Sequence, residues 1–384
     1  MKRFQQFLTF ALALTLCAFC FASCGGSKGN YTASNTEYFI GATGPLTGDV
    51  SSYGISVQNG AQLAIDEINA NGGLNGTLFH FEMKDDQGGE EAAANGYTAL
   101  YEAGMQLSIG SVTSGSCASF ADHAKDDGIL FITPSASAAN VIAISDNAFR
   151  VCFGDPQQGT LSAETLSARY AKIGVIYDTS DPYSSGLYEA FDAKMVELGK
   201  VKDTDYIVRT FDKDSNKDFS TQVAALADAG CETIYLPIYY TEAGLIAKAA
   251  AAQGYDVPIF GNDGLDGVAA QLSSDVTASV EYITPFDVNA TDEITSAFVS
   301  AYKAKYNATP DQFAADGYDA VMILFAAMQK AGVSDVTLSA SAMADLIRPV
   351  LTSADFSYTG LTGANMTWSK DGSCNKDAKI VKVQ

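Results

Sequence analysis

From Glu37 onward, strand-like and helix-like segments alternate, which predicts an α/β protein with parallel sheets covered by helices on both faces. Two further observations point the same way. The apolar strand runs end in short polar loops that lead into helical patterns. The length, 384 residues, suits two such sheets better than one.

The elements follow in order. "YFIGA" is a short apolar strand that ends in "TGPLTGD", a turn rich in glycine and proline. A helix follows around "ISVQNGAQLAIDEINANGG": Val57, Ala61, Ala64, Ile65 and Ile68 share one face, and Gly72–Gly73 close it. "TLFHFEMKDD" alternates, with Phe79, Phe81 and Met83 turned inward and His80, Glu82 and Lys84 outward. "MQLSIG" is a strand, a helix runs through "FADHAKDDG", and "ILFITP" is the next strand. "KIGVIYD", "ETIYLPI" and "VPIF" are later strands, each followed by a loop and a helical pattern.

Composition bounds the chemistry. The chain is 47% hydrophobic and 18% charged, enough to bury a core, and its formal net charge is -22. A polyanion of that size repels nucleic acid and anionic lipid headgroups, so both are poor partners. His80 and His123 are the only histidines, a thin stock for zinc sites or acid–base catalysis. The strand alternation places His80 in solvent, and His123 sits mid-helix between Asp122 and Lys125. No metal site and no cofactor is expected.

At the N-terminus, Lys2 and Arg3 precede "FLTFALALTLCAFCF" and a run of small residues. That is a basic region, an apolar region and a cleavage-type end, so residues 1–23 read as a signal peptide. A plain membrane span is the competing reading. "FASC" resembles the lipobox of bacterial lipoproteins, with Phe21 where such motifs carry Leu; the resemblance implies a diacylated Cys24 as mature N-terminus. Residues 24–36, rich in Gly, Ser and Asn, then form a flexible tether. Cys117, Cys152, Cys231 and Cys374 remain, with no CxxC spacing; three full pairings or free thiols are all open.

In open α/β sheets, ligands bind beyond the carboxyl ends of the strands. The loops there read "TGPLTGDVSSYG", "SVTSGS", "TPSASAA", "DTSDPYSSG", "YYTEAG" and "GNDGLDG". They are rich in hydroxyls and tyrosines and contain no histidine or lysine. A serine nucleophile needs a base within reach, and these loops offer none. Capping is the competing role for any single serine. Taken together, the loops describe a polar cleft that binds a small molecule without reacting with it.

Across the whole chain after Thr36, these stretches resemble the substrate-binding lipoproteins of branched-chain amino acid ABC transporters, the Leu/Ile/Val-binding protein family. "IGATGPLTGDVSSYG", "NGAQLAIDEINANGGLNG", "KDDQ", "IGSVTSGS", "DGILFITPSAS", "FRVCFGDPQQG", "IGVIYDTSDPYSSG", "TIYLPIYYTEAG" and "GYDA" occur in the family's order. The resemblance implies the type I periplasmic binding protein fold: two Rossmann-like lobes joined by a hinge of three crossovers. Lobe one would be 36–155 plus 284–358 and lobe two 156–283 plus 359–384. "FDVNATDEI" and "DFSYTGLTG" would mark the later crossings. The resemblance also implies roles. Ser114 would give a hydroxyl to the ligand's α-carboxylate. Ser135, Ala136 and Ser137 would supply backbone groups, with a hydroxyl from Ser137. Tyr53 and Tyr183 would close over the ligand side chain, Tyr239 would lie beside the ammonium, and Asp263 would be its counter-charge. The family more often carries Glu at that last position.

The implied function is capture of a branched-chain or other neutral amino acid and delivery to ABC transporter permease subunits. The protein would act as a monomer, lipid-anchored on the extracytoplasmic face of a bacterial cell membrane. A sensor of an amide or other small metabolite is the alternative, and a surface hydrolase the least favoured.

Overall fold

The computed structural model describes residues 35–383. The expected signal peptide, the lipidated Cys24 and all but the last two residues of the tether lie outside the described residues.

Two sheets carry the architecture. The first contains β1 (Tyr38–Gly44), β2 (Phe79–Asp85), β3 (Leu107–Ser108), β4 (Leu130–Thr133) and β5 (Ala148–Arg150) in the order β2-β1-β3-β4-β5. Every pairing in it is parallel. The second contains β6 (Ile173–Asp178), β7 (Tyr206–Phe211), β8 (Thr233–Leu236), β9 (Ile259–Gly261), β10 (Val280–Thr284) and β13 (Lys379–Lys382) in the order β13-β10-β9-β8-β6-β7. Only β13 runs antiparallel, against β10. All seven residues of β1 are buried. A strand covered on both faces needs the continuous apolar run that this stretch has. β2 keeps the expected alternation: Phe79, Phe81 and Met83 are buried, and His80 is exposed. His123 is exposed as well.

Helices connect the strands. α1 (Ser51–Ala70) buries the stripe read from the sequence, with Tyr53 and two glycines added. α2 (Glu90–Glu102) follows β2, and α3 (Ser114–Asp127) follows β3. The sequence pattern placed the serine cluster in a loop, but α3 opens at Ser114, after Thr113 in an extended conformation (φ -90, ψ 150). Small hydroxyl residues give no periodic apolar signal, so the first turn was invisible to pattern reading. Gly128, with φ 71, ends the helix. α4 (Ala139–Ala143) is short, and α5 (Asp155–Arg169) leads into the second sheet. There α6 (Pro182–Glu197), α7 (Ser220–Asp228) and α8 (Tyr240–Ala252) join the strands.

After β10 the chain returns to the first sheet as α9 (Glu293–Tyr306), α10 (Gln312–Lys330) and α11 (Ala340–Leu351). α10 packs lengthwise on α1. Two glycines allow it: a Cβ on Gly60 would collide with the Ala314 carbonyl, and one on Gly317 with the backbone of Val57. A hairpin of β11 (Thr367–Trp368) and β12 (Cys374–Asn375) lies beside β5, where the Arg150 N–H donates to Gly372 O at 3.2 Å. β13 then rejoins the second sheet. Cys117, Cys152, Cys231 and Cys374 are all buried free thiols.

Candidate functional site

In each sheet the strand order reverses at one place, between β1 and β3 in the first and between β6 and β8 in the second. Loops leaving a reversal point diverge and open a crevice at the carboxyl ends of the strands. Here the two crevices face each other. Tyr53 follows β1, Ser114 follows β3, Tyr183 follows β6 and Tyr239 follows β8. Asp263 follows β9 and opens a single 3-10 turn, Asp263–Leu265.

These residues close around one small cavity. Tyr53, Ser114, Ser135, Tyr183, Tyr239 and Asp263 line it, with Val112, Thr113, Gly264 and Phe313. Ala136 and Ser137 do not line it; both are fully buried behind the wall. Sequence reading missed Phe313, which reaches the cavity from the first turn of α10. Its ring lies 4.1 Å from that of Tyr53. Nothing local marks it, since it depends on the packing of α10 on α1.

The aromatic rings form a cage. Tyr183 and Tyr239 stack at 4.9 Å with 4° between planes, and Tyr53 meets Tyr239 edge-on at 5.8 Å. Tyr53 also spans the crevice: its hydroxyl donates to the Gly264 carbonyl and accepts the Tyr240 N–H at 3.2 Å. Further bonds cross the same gap. Gln312 Nε2 donates to Asp263 O at 2.7 Å, the Gln312 N–H to Asp266 Oδ2 at 3.0 Å, and Thr241 Oγ1 to Asp49 O at 2.8 Å. The two halves are therefore closed on each other.

One wall is built from hydroxyls. Ser114 Oγ accepts two backbone N–H groups, from Ser137 and Ala138, each at 3.2 Å. Its own proton is thus free to point at the cavity. Ser135 Oγ donates to Val112 O at 2.8 Å. The loop 135–138 is held from behind by Arg150, whose guanidinium donates to the Ser137 carbonyl and, at 2.8 Å, to that of Ala138.

The opposite wall carries Asp263. Its Oδ1 accepts the Tyr183 hydroxyl at 2.7 Å and the Gly264 N–H at 2.9 Å. Gln158 Oε1 accepts its backbone N–H at 3.2 Å. Gly264 is required here, because a Cβ would sit 2.6 Å from the Tyr183 hydroxyl. Burial pushes the Asp263 carboxyl up to about 6, against the opposing pull of these hydrogen bonds. Asp181, capping α6 through the Ser184 N–H at 3.0 Å, is likewise raised to about 6 by burial. Near the loop 135–138, burial raises Asp155 well above the usual carboxylate range.

Among the described residues, no histidine or lysine lines the cavity and no cluster of His, Cys, Asp and Glu could hold a metal. Also among them, no helix is long and apolar enough to cross a membrane. Among the described residues, neither Ser114 nor Ser135 bonds a histidine, lysine or carboxylate that could activate it as a nucleophile. The geometry offers donors on one wall, a buried acid on the other and aromatic rings between. That arrangement suits a small molecule carrying both an anionic and a cationic group.

The chain is similar to several known proteins. A family model described as periplasmic binding protein matches residues 37–384. The Leu/Ile/Val-binding protein homolog 1 of Brucella abortus is 30% identical over 312 residues, covering 80% of this chain and 82% of that protein. The leucine-, isoleucine-, valine-, threonine- and alanine-binding protein of Pseudomonas aeruginosa is 28% identical over 320 residues, covering 82% and 84%. The branched-chain amino acid transporter substrate binding protein LivJ of Streptococcus pneumoniae, solved with isoleucine, superposes with a TM-score of 0.79. It is 27% identical, over 90% of this chain and 95% of that one.

Proposed function

The chain belongs to the periplasmic binding protein family, and from that premise we propose that it captures a small neutral amino acid and hands it to an ABC transporter. The observation that carries this is the buried Asp263 facing a hydroxyl wall across a cavity caged by tyrosines. The ligand ammonium pairs with Asp263, beside Tyr239. The α-carboxylate takes the Ser114 proton and polar groups of the loop 135–138. Tyr53, Tyr183 and Phe313 cover the side chain. The names of the relatives, a Leu/Ile/Val-binding protein homolog and a leucine-, isoleucine-, valine-, threonine- and alanine-binding protein, and the LivJ structure solved with isoleucine, support a branched-chain or similar ligand.

Two lobes move about the chain crossings. One lobe is built on the first sheet with α9–α11 and the β11–β12 hairpin, the other on the second sheet. The crossings are the α5 entry near Gly154, the segment after β10 and the segment before β13. The last lies later than the crossing expected at "DFSYTGLTG", because Leu361 and Thr362 bond Asp319 and Trp368 bonds Arg150, which keeps the chain from 359 to the β11–β12 hairpin with the first lobe. The site in front of the permease is extracytoplasmic, and Cys24 anchors the protein there through lipid.

A thermal-shift screen over the twenty amino acids tests the reading, because a ligand that binds only the folded state raises the melting point. Stabilisation by one or a few neutral amino acids is expected. Stabilisation by none of them, with a metabolite lacking an α-ammonium active instead, would refute it.

A further inference from the structure

A second cavity, of about 290 Å³, shares no lining residue with the first. Its volume falls just below the usual range for small-molecule sites, which run from roughly 300 Å³, and so suits only a small ligand. Ala139, Ile142 and Ala143 give it an apolar wall along one face of α4. Arg150 lines it from the end of β5, Pro156 from the start of α5, and Asp371 from the β11–β12 hairpin.

Arg150 is the informative member. The residue is only 2% exposed, yet its guanidinium meets two carbonyl oxygens and no carboxylate. Among the described residues, the arginines that form ion pairs are Arg169 and Arg348. Arg150 Nε has no hydrogen-bond partner at all. The buried carboxyl of Asp155 attracts Arg150, but burial pushes that carboxyl toward its neutral form. Carbonyl dipoles therefore carry much of the balance, and an anion brought to Arg150 recovers part of the cost of burying it. Asp371, on the exposed side of the same cavity, would oppose a simple anion but attract a neighbouring cation.

We propose that this cavity is a second ligand site, built for a small zwitterion with its carboxylate at Arg150, its ammonium at Asp371 and its apolar part against α4. The site is independent of the cleft reading, but it is coupled to the cleft. Arg150 also holds the carbonyls of Ser137 and Ala138, on the loop whose N–H groups rest on Ser114. Its walls come from both sides of the first crossing, since α4, β5 and the hairpin belong with the first sheet and α5 packs on α6 of the second half. A ligand touching both sides binds the closed and open states unequally and shifts the balance between them.

The test titrates L-valine, isobutyrate and isobutylamine into the full chain by calorimetry, and follows the fluorescence of Trp368. That residue is the chain's one tryptophan, and its indole N–H donates to the Arg150 carbonyl at 2.8 Å. L-valine is expected to give two events, a tight one in the cleft and a weaker one that changes Trp368 emission. Ala143→Phe, at an exposed edge of the cavity, should remove the weaker event and leave the tighter constant within about twofold, because the cleft fills first, while the second cavity is still empty, and Ala143 itself does not line the cleft. Asp371→Asn should weaken the second event for L-valine and improve it for isobutyrate. Crystals grown with L-valine should hold a molecule in this cavity, a readout that needs no variant. A single event unchanged by Ala143→Phe, or an empty cavity at saturating L-valine, would overturn the proposal. Equal binding of isobutyrate and L-valine would overturn the role of Asp371. Loss of the tight event alone would refute the cleft reading and leave this one standing.

Discussion

Asp263 combines three properties that decide how the cleft behaves: it is buried, it is bonded on one oxygen by Tyr183 and Gly264, and it has no basic partner in the cavity. An ammonium ligand would supply the missing counter-charge. Removing one partner of a buried pair costs about 3–5 kcal/mol, which is roughly two to four decades in Kd. Asp263→Asn should therefore nearly abolish amino-acid binding in calorimetry, while Asp263→Glu retains part of it. The raised carboxyl adds a pH dependence. An ordinary Asp titrates at roughly 3.9, whereas Asp263 in the empty fold titrates at about 6. The empty protein therefore holds this proton more tightly than the unfolded chain does. Its stabilising contribution is full below the unfolded value and is lost as pH rises through the folded one. A bound ammonium demands the charged form, so affinity should weaken as pH falls below about 6, and binding there should release a proton. Calorimetry in two buffers of different ionisation enthalpy reads that proton directly; a flat affinity between pH 5 and pH 7, a window chosen around that value, would rule it out.

At the scale of elements, Ser114 ties the first turn of α3 to the loop before α4. Its oxygen accepts two N–H groups that would otherwise be buried without partners. Ser114→Ala should therefore lower the stability of the empty protein by about 1–3 kcal/mol and weaken ligand binding as well. Urea unfolding beside calorimetry separates the two effects. Loss of affinity at unchanged stability would mean that the loop does not depend on this hydroxyl. The contact of α1 with α10 is a similar control point, since it sets Tyr53 against Phe313. Gly60→Ala would drive a methyl into the Ala314 carbonyl. It should destabilise the fold by about 1–3 kcal/mol through overpacking, visible as a lower urea midpoint.

For the molecule as a whole, the bonds across the crevice describe a closed state, with Tyr53, Gln312 and Thr241 each reaching the opposite half. Ligand contacts made only in this state will shift the balance toward it. Solution scattering should give a smaller radius of gyration when the cleft is saturated. Equal values with and without ligand would argue against a two-lobe trap. The same scale includes the membrane. Two acyl chains give stable anchoring where one gives only marginal binding. Cys24→Ser should abolish lipid at the mature N-terminus by mass spectrometry, and an intact Met1 in the native protein would exclude the anchor.

Sequence alone determined the α/β class, because a strand buried on both faces and a one-sided helix write different apolar periods, as β1 and α1 do here. It also determined which loops carry the hydroxyls, the tyrosines and Asp263. Their order along the chain, through the family resemblance, placed six residues that line one cavity. Only the tertiary structure decided what those residues face. Phe313 and Gln312 enter the cleft from a helix far along the chain, positioned by glycines whose lack of a side chain lets α10 settle on α1. The start of α3 at Ser114, and the use of that hydroxyl to hold a loop, left no mark in the apolar pattern because small polar residues carry no period. The buried Arg150 reads in sequence as the end of a strand. That its guanidinium bonds carbonyls and no carboxylate appears only when the chain is folded, since burial and pairing depend on residues brought together across the fold.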